Sequence, residues 1–283
     1  MRRTSRAPGR GRARRLGAAL AAAALVLAAA ACGTAGGDPR SVADVDTPLV
    51  IAIPSGHGDA GEAELGSFDE YFAKELSVKL GYGENEAVLK PTAPKDQLTA
   101  LREGRVDMVV AGNVITPERE RGVLFAGPYY VAHQDILVRS GDMSIGEVRD
   151  LAGKRVCRVR GDTAWQRISK LGGVAAEPVD APSYPACVKM LRDHRVDAVS
   201  EDDLVLAGSV KESRGALRVV GAPFSDDRYG IALRKDDVTG CEAVNRAITS
   251  MYEDAGAQIL LADTFGDSGV ETATEVPQFE GCS

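Results

Sequence analysis

Residues 106–138 restrict the fold of this chain more than any other stretch. They begin with VDMVV, a short apolar run rich in β-branched residues, which is typical of a sheet strand covered on both faces. The Gly and Asn of AGNVIT predict the end of that strand, and Thr116 followed by Pro117 predicts a capped helix start. A second apolar run leads into GPYY and another strand. The stretch therefore predicts an open α/β sheet, in which ligands bind at the carboxyl ends of strands.

Arg119 is the first candidate binding residue, because the predicted helix start places it beside the carboxyl end of a strand. A planar, permanently charged guanidinium is suited to bidentate capture of a carboxylate. The alternative is a solvated residue of the first helical turn that pairs with a neighbouring carboxylate, namely Glu118, Glu120 or Asp107. The local pattern alone favours this alternative.

The segments on either side alternate between strand and helix patterns. Before residue 106 come the strand LVIAIP, the helix SFDEYFAKELSVKLG, the strand AVLKP and the helix DQLTALREGR, and this alternation predicts a doubly wound sheet. Farther along, Ser144 with Glu147 predicts a capping box, and so does Thr239 with Glu242. The runs DLVLAGSV, LRVVG and GIALR are predicted to complete the sheets.

The amino terminus predicts export. Seven arginines precede an Ala/Leu/Val run that ends at Ala31, the pattern of a signal peptide whose apolar part is too short to span a membrane. AAAAC resembles a bacterial lipoprotein cleavage box, so Cys32 is predicted to be the acylated first residue of the mature protein. The alternative is an ordinary secretory signal. The polar residues 32–47 predict a flexible tether.

Removal of residues 1–31 takes away seven arginines and changes the formal net charge from −7 to −14. Such an acidic surface argues against binding to nucleic acid or, by charge, to anionic lipid headgroups.

Besides Cys32, the chain has four cysteines, and an even number in an exported protein predicts two disulfides among Cys157, Cys187, Cys241 and Cys282. The residues themselves leave three pairings open. A zinc site is a poor alternative, because neither the cysteine spacing nor the scattered histidines fit metal ligation.

Four motifs, in order along nearly all of the mature chain, resemble one family. They are VDMVVAGNVITPERERGVLFAGPYY, DLAGKRVCRVRGDTAWQRI, RVDAVSEDDLVLAG and GAPFSDDRYGIALRKDD, and they resemble the amino-acid (family 3) extracytoplasmic solute-binding proteins of ABC importers. The resemblance implies an α/β chain with the two-lobed type II periplasmic-binding-protein fold, each lobe a central mixed β-sheet flanked by helices, joined by two crossover strands. The implied lobe 1 is residues 48–136 with 228–283, and the implied lobe 2 is residues 137–227.

The resemblance also implies a ligand site between the lobes. Arg119 would clamp the α-carboxylate of an amino acid, and Asp202 would hold the α-ammonium. The helix start at Asp162 and Thr163 would point backbone N–H groups at the same carboxylate. Asp203 is the alternative acid if the match slips by one residue. The other implied ligand-binding residues are Gly112, Asn113, His57 and Gln97.

Several of these positions depart from the family pattern. Val114 stands where a Thr or Ser usually helps to bind the carboxylate, and His57 stands where an aromatic ring often contacts the ligand. A second aromatic position falls near Pro94, and Gln97 stands where glutamate-type relatives often have Arg. A small polar cleft of this kind is compatible with glutamate, glutamine or a less standard amino acid.

The implied function is that of a substrate-binding lipoprotein, closest to actinobacterial glutamate-binding lipoproteins, which binds a polar, glutamate- or glutamine-like amino acid and delivers it to an ABC permease. Such a protein is a non-enzymatic monomer without cofactor or metal, held on the extracytoplasmic face of the cell membrane by lipid, including palmitate, on Cys32. The resemblance also implies that Cys157 pairs with Cys187, which leaves Cys241 for Cys282.

Two other classes of function stay open. One is an enzyme that resembles the cyclohexadienyl dehydratases, which would need a general acid in the cleft, with Glu62, Glu64 or Glu201 as candidates. The other is a sensor that closes on its ligand and signals to a partner.

Overall fold

The structure, a computed structural model, describes residues 40–54, 60–83, 85–159, 164–170, 174–270 and 275–283. His57, Asp162, Thr163 and Cys32 lie outside these ranges. For residues 60–67 and 267 the description is limited to the backbone, so the side chains of Glu62 and Glu64 are outside it as well.

The described part of the chain contains ten strands. In chain order they are β1 (Leu49–Pro54), β2 (Ala87–Thr92), β3 (Met108–Val114), β4 (Leu124–Ala132), β5 (Gln134–Arg139), β6 (Arg155–Val159), β7 (Glu177–Ala181), β8 (Val199–Asp202), β9 (Leu217–Val219) and β10 (Asp227–Leu233).

Eight helices accompany the described strands. They are α1 (Ala60–Lys79), α2 (Pro94–Arg102), α3 (Pro117–Glu120), α4 (Ala164–Lys170), α5 (Tyr184–Arg192), α6 (Asp203–Ser213), α7 (Val238–Glu253) and α8 (Gly256–Phe265), with short 3-10 turns at Val148–Leu151 and Gly266–Ser268. None of these helices combines the length and the apolar character that crossing a bilayer requires.

The strands form two sheets. The first has the order β2-β1-β3-β10-β4, in which β1 is parallel to β2 and β3, and β10 is antiparallel to β3 and β4. The second joins the antiparallel group β8-β5-β9 to the parallel pair β6-β7 through a bridge between Val156 and Ala198. The chain enters the second sheet between β4 and β5 and returns between β9 and β10. Two crossovers therefore join the sheets, as the two-lobed α/β architecture requires, within one compact unit of residues 41–283.

A group of aromatic side chains packs between α1 and the first sheet. Phe68 and Phe72 lie on one face of α1, as the helical spacing of apolar residues predicts, and both pack on Tyr129 of β4. Their ring centroids lie 6.3 and 4.7 Å from that of Tyr129. All three side chains are buried, so the phenol hydroxyl of Tyr129 needs a partner inside the protein. Asp69, next to Phe68 on α1, accepts its hydrogen bond at 2.6 Å.

Two disulfides fasten the fold. Cys157 on β6 is bonded to Cys187 on α5, with 5.5 Å between the Cα atoms, inside the core of the second sheet. Cys241 on α7 is bonded to Cys282, with 5.9 Å between the Cα atoms. The second bond ties the carboxy-terminal segment to a helix that packs on β4. These are the two pairs that the family resemblance implies.

Strand β3 is longer than predicted. It continues through Gly112 and Asn113 to Val114, because β10 pairs with it there, with Gly230 opposite Asn113 and Tyr229 opposite Val114. Gly112 has a φ of +57°, a value that glycine adopts without strain. The prediction that the glycine and asparagine end the strand was therefore wrong.

The hydrogen bonds of Asp237 correct two further predictions made from the sequence. It caps α7 by accepting a hydrogen bond from the Gly240 amide at 2.9 Å, so the capping box predicted at Thr239 and Glu242 was wrong. Its other carboxylate oxygen accepts from the amide of Val42 at 2.9 Å, and Val42 is buried. Residues 41–44 are thus packed against the fold, and the predicted flexible tether of residues 32–47 extends too far at its carboxyl end.

The capping box predicted at Ser144 was also wrong. The Ser144 hydroxyl donates to Asp142 at 2.7 Å, and the following 3-10 turn has its box between Glu147 and Asp150. DLVLAGSV, predicted as a sheet strand, forms α6 instead. This helix is buried along most of its length, and an apolar run without a polar face does not distinguish a buried helix from a strand.

Candidate functional site

Arg119 lies where the sequence predicts it, at the end of β3. Thr116 caps α3 by accepting a hydrogen bond from the Arg119 amide at 3.3 Å, and the guanidinium donates to the carbonyl oxygen of Val114 at 2.9 Å. Burial lowers the pKa of the guanidinium, and the charge of Glu118 opposes that shift. No carboxylate oxygen of a described residue lies within 4.0 Å of the Arg119 guanidinium. A half-buried guanidinium in this position can donate a bidentate pair of hydrogen bonds to a carboxylate.

The Arg119 side chain faces a cavity of about 710 Å³. Most of its described lining comes from residues of α2, α3 and their flanks, including Arg102 and Arg121. Arg167 lines the same cavity from α4, a helix that packs on β6 and β8 of the second sheet. The described lining therefore includes one residue, Arg167, from the side of the second sheet. The cavity volume falls in the usual range of small-molecule sites, about 300–1,000 Å³.

Asp202 ends β8 and directly precedes α6. One carboxylate oxygen accepts a hydrogen bond from the hydroxyl of Tyr229, which lies on β10 of the first sheet. The other oxygen lies 3.8 Å from a terminal guanidinium nitrogen of Arg167. Asp202 is thus held by groups from both sheets and stands next to a residue that lines the cavity.

Asp203 points elsewhere. Its side chain is buried and accepts hydrogen bonds from the Tyr130 hydroxyl at 3.2 Å and the Leu204 amide at 2.8 Å. Burial raises its pKa to about 7, the charge of Asp202 adds to the rise, and His133 and the Leu204 amide oppose it. The geometry therefore favours Asp202 over Asp203 as the acid next to the cavity.

The structure brings Gln97 and Asn113 together. The Asn113 amide donates to the Gln97 side-chain oxygen at 3.1 Å, and Gln97 donates to the carbonyl oxygen of Thr92 at 3.2 Å. Both side chains are buried, with 3% and 8% of their surface exposed. The Gly112 amide donates to the hydroxyl of Tyr129 at 3.0 Å. In this structure these predicted ligand-binding groups therefore bond to one another or to the core.

Arg167 is a site residue that the sequence did not single out. Its two terminal nitrogens bind both carboxylate oxygens of Asp227, a buried residue at the start of β10. One of them also lies 3.4 Å from the side-chain oxygen of Gln134, the first residue of β5. The only signal in the sequence was its place one turn after the predicted anion-binding helix start; the pairing with Asp227 requires the fold.

Two consecutive buried hydrogen bonds support β3, the strand that precedes Arg119. The Gly112 amide on β3 donates to the Tyr129 hydroxyl, which in turn donates to Asp69. Burial raises the pKa of Asp69 to about 7, although the hydrogen bond from Tyr129 opposes the rise. In the folded protein Asp69 therefore keeps its proton to near neutral pH.

The Asp69 proton makes stability depend on pH. The folded carboxyl releases its proton near pH 7, whereas the unfolded one does so near 3.8, so this residue lowers the free energy of unfolding as the pH rises between these values. Asp69→Asn, which is always uncharged, should remove that decline. We expect the difference between wild type and variant to change by about 1 kcal/mol per pH unit between pH 5 and 7 in urea unfolding.

The matched control is Asp263→Asn on the exposed face of α8, which should leave the pH dependence of unfolding as in the wild type. A difference between wild type and Asp69→Asn that stays constant from pH 5 to 7 would contradict a proton held by Asp69.

Two sheets that are joined by two crossovers, with a cationic cavity beside Arg119 and Arg167, have the architecture of a two-lobed solute-binding protein. The chain belongs to the bacterial extracellular solute-binding proteins, family 3, whose model matches residues 60–267. Among the described residues, no group of three or more His, Cys, Asp or Glu side chains is arranged to hold a metal ion.

Individual relatives agree with this assignment. The chain is 31% identical over 281 residues to the glutamate-binding protein GluB of Corynebacterium glutamicum. The alignment covers 93% of this chain and 94% of GluB. It is 27% identical to the ABC transporter glutamine-binding protein GlnH of Bacillus subtilis, over 81% of this chain and 89% of GlnH. A solved structure of an ancestral arginine-binding protein bound to arginine matches with a TM-score of 0.62 and 31% identity, over 79% of this chain and 100% of that one. All three are binding proteins, and this chain is a binding protein rather than an enzyme, which sets the dehydratase alternative aside.

Proposed function

We propose that this chain binds a polar amino acid, glutamate- or glutamine-like, in the cavity between the two sheets and delivers it to the permease of an ABC importer. The observation that carries the proposal is the position of Arg119, half-buried, without an ion pair among the described residues and facing a cavity that Arg167 lines from the other sheet. The names of the relatives support an amino acid as the ligand, since GluB is a glutamate-binding and GlnH a glutamine-binding protein.

Each end of the ligand has its own partner in this proposal. The guanidinium of Arg119 binds the α-carboxylate, together with the backbone N–H groups that the sequence predicts at Asp162 and Thr163, which lie outside the described residues. Asp202 binds the α-ammonium. Each charged hydrogen bond contributes roughly 1.5–3 kcal/mol. Three or four of them give micromolar affinity, about −8 kcal/mol, after the costs of ordering.

The two partners also explain why the ligand should close the protein. Arg119 is attached to the first sheet and Asp202 to the second. A zwitterion that contacts both binds the closed arrangement better than the open one, so it shifts the population toward closure.

We further propose that the chain is a lipoprotein. Residues 1–31 are the signal peptide, Cys32 carries the lipid, and the anchored monomer stands on the outer face of the cell membrane. Extracellular family membership supports the location. Expression of Cys32→Ala should release the protein into the medium, and wild-type protein extracted from membranes should have an intact mass that includes acyl chains. An unmodified Cys32 in membrane-extracted protein would contradict the anchor.

A thermal-shift screen tests the binding proposal. A ligand that binds only the folded state stabilises it by about 2.7 kcal/mol at 100 times its dissociation constant. For a domain of this size that raises the melting temperature by about 5–10 °C. We expect glutamate or glutamine to produce such a shift among the standard amino acids. A flat response to all of them would contradict the proposal.

A further inference from the structure

We infer that Arg167 is a specificity-determining residue: a fixed positive charge on the second-sheet wall of the cavity that makes the site prefer an amino acid with a carboxylate side chain over its amide. This inference rests on the proposed function. It assigns to Arg167 the choice between glutamate and glutamine, two ligands of nearly the same shape that differ by one charge.

The first support is position. Arg119 and Arg167 line the same cavity from opposite sheets. If Arg119 takes the α-carboxylate, a second anionic group on the ligand meets the guanidinium of Arg167 on the facing wall. Asp202 lies 3.8 Å from Arg167. The site proposed for the α-ammonium is therefore next to Arg167.

The second support is rigidity. Asp227 holds both terminal nitrogens of Arg167, and 5% of Asp227 is exposed. The side-chain oxygen of Gln134 lies 3.4 Å from one of these terminal nitrogens. A guanidinium carries five N–H donors, and the contacts with described residues use three of them. A charge that is fixed before the ligand arrives loses little entropy on binding.

The third support is the balance of charge. Among the described lining residues, four are arginines and one is a glutamate: Arg102, Arg119, Arg121, Arg167 and Glu118. Arg102 and Arg121 are exposed, so water and salt screen their charges. The Arg167 side chain is 26% exposed, so water and salt screen its charge less. Asp227 and Asp202 offset part of its charge, and Arg167 is the one described lining residue on this side of the cavity.

The competing explanation is that Arg167 only ties α4 to β10. The two roles give different results with a matched pair of ligands. A structural tie affects both ligands alike, so its loss changes both affinities without changing their ratio. A specificity charge changes the ratio.

The experiment measures the dissociation constants of L-glutamate and L-glutamine by calorimetry for wild type and variants. We expect the wild type to bind glutamate at least tenfold more tightly than glutamine. Arg167→Gln should reduce that ratio to near one. Arg158→Gln is the matched control: Arg158 lies on β6 of the same sheet, is paired with Asp180 and is not among the cavity-lining residues. It should keep the wild-type ratio.

Two further variants test the same inference if Arg167→Gln does not fold. Arg167→Lys keeps the charge and should keep most of the preference for glutamate. Asp227→Asn removes the counter-charge while Arg167 remains, so it should increase the preference for glutamate. An unchanged ratio in Arg167→Gln, an unchanged or lower ratio in Asp227→Asn, or a wild type that prefers glutamine would overturn the inference while leaving amino-acid binding intact. A wild type that binds no amino acid would reject the proposed function, and the inference with it.

Discussion

Arg119→Ala should raise the dissociation constant of L-glutamate at least 100-fold while leaving the fold intact. The variant removes a bidentate, charge-assisted pair to the ligand carboxylate, and two such hydrogen bonds are worth about 3 kcal/mol or more. Stability should change little, because the guanidinium makes one hydrogen bond to a described residue, at the carbonyl oxygen of Val114. The Thr116 cap uses the backbone amide of residue 119, which alanine retains. Calorimetry measures the affinity, and urea unfolding measures the stability.

Arg105→Ala is the control for that experiment. Arg105 lies close to β3 in the chain, is exposed and is paired with Glu103 outside the cavity. Its loss should change affinity less than twofold. Micromolar binding of glutamate by Arg119→Ala, or an equal loss in both variants, would show that Arg119 is not the carboxylate clamp.

Removal of either disulfide should destabilise the protein by roughly 2–4 kcal/mol. The bonds Cys157–Cys187 and Cys241–Cys282 close loops with sequence separations of 30 and 41 residues. Loops of these lengths restrict the unfolded chain by nearly the same entropy, so the two effects should be similar. The double substitutions Cys157→Ser/Cys187→Ser and Cys241→Ser/Cys282→Ser can be compared with wild type in urea.

Loss of the Cys241–Cys282 bond should also affect strand β4, which loss of the Cys157–Cys187 bond should not. Glu280 donates its amide to the carbonyl oxygen of Gly127, and Asn245 of α7 accepts from the Gly127 amide. Loss of Cys241–Cys282 should therefore increase hydrogen exchange at the start of β4, whereas loss of Cys157–Cys187 should not. Equal exchange in both variants, or unchanged stability in either, would contradict these roles.

Much of the fold around the site could be predicted from local sequence. Thr116 and Pro117 define the start of α3 because their preferences act within one helical turn. The same kind of reasoning failed at Ser144 and Thr239. There a neighbouring aspartate supplies a competing partner, as Asp237 does for the amide of Gly240. A capping pattern cannot show which of several nearby oxygens reaches the free amides.

The position of a candidate residue could be predicted where it depends on one element, and could not be predicted where two distant elements meet. Arg119 follows from its place after β3. The pairing of Gln97 with Asn113 joins a helix to a strand, and that of Arg167 with Asp227 joins residues 60 positions apart. Both depend on the packing of the sheets. Sequence also left Asp202 and Asp203 as alternatives, and burial of the second side chain separates them.

The most direct test of the central claim compares three ligands of the wild-type protein by calorimetry: L-glutamate, glutarate and 4-aminobutyrate. Glutarate lacks the α-ammonium that Asp202 should hold, and 4-aminobutyrate lacks the α-carboxylate that Arg119 should hold. We predict micromolar binding of L-glutamate and at least 100-fold weaker binding of both analogues, since each loses a charged contact worth about 3 kcal/mol. Affinity of either analogue within tenfold of that of glutamate would contradict a zwitterion held between Arg119 and Asp202.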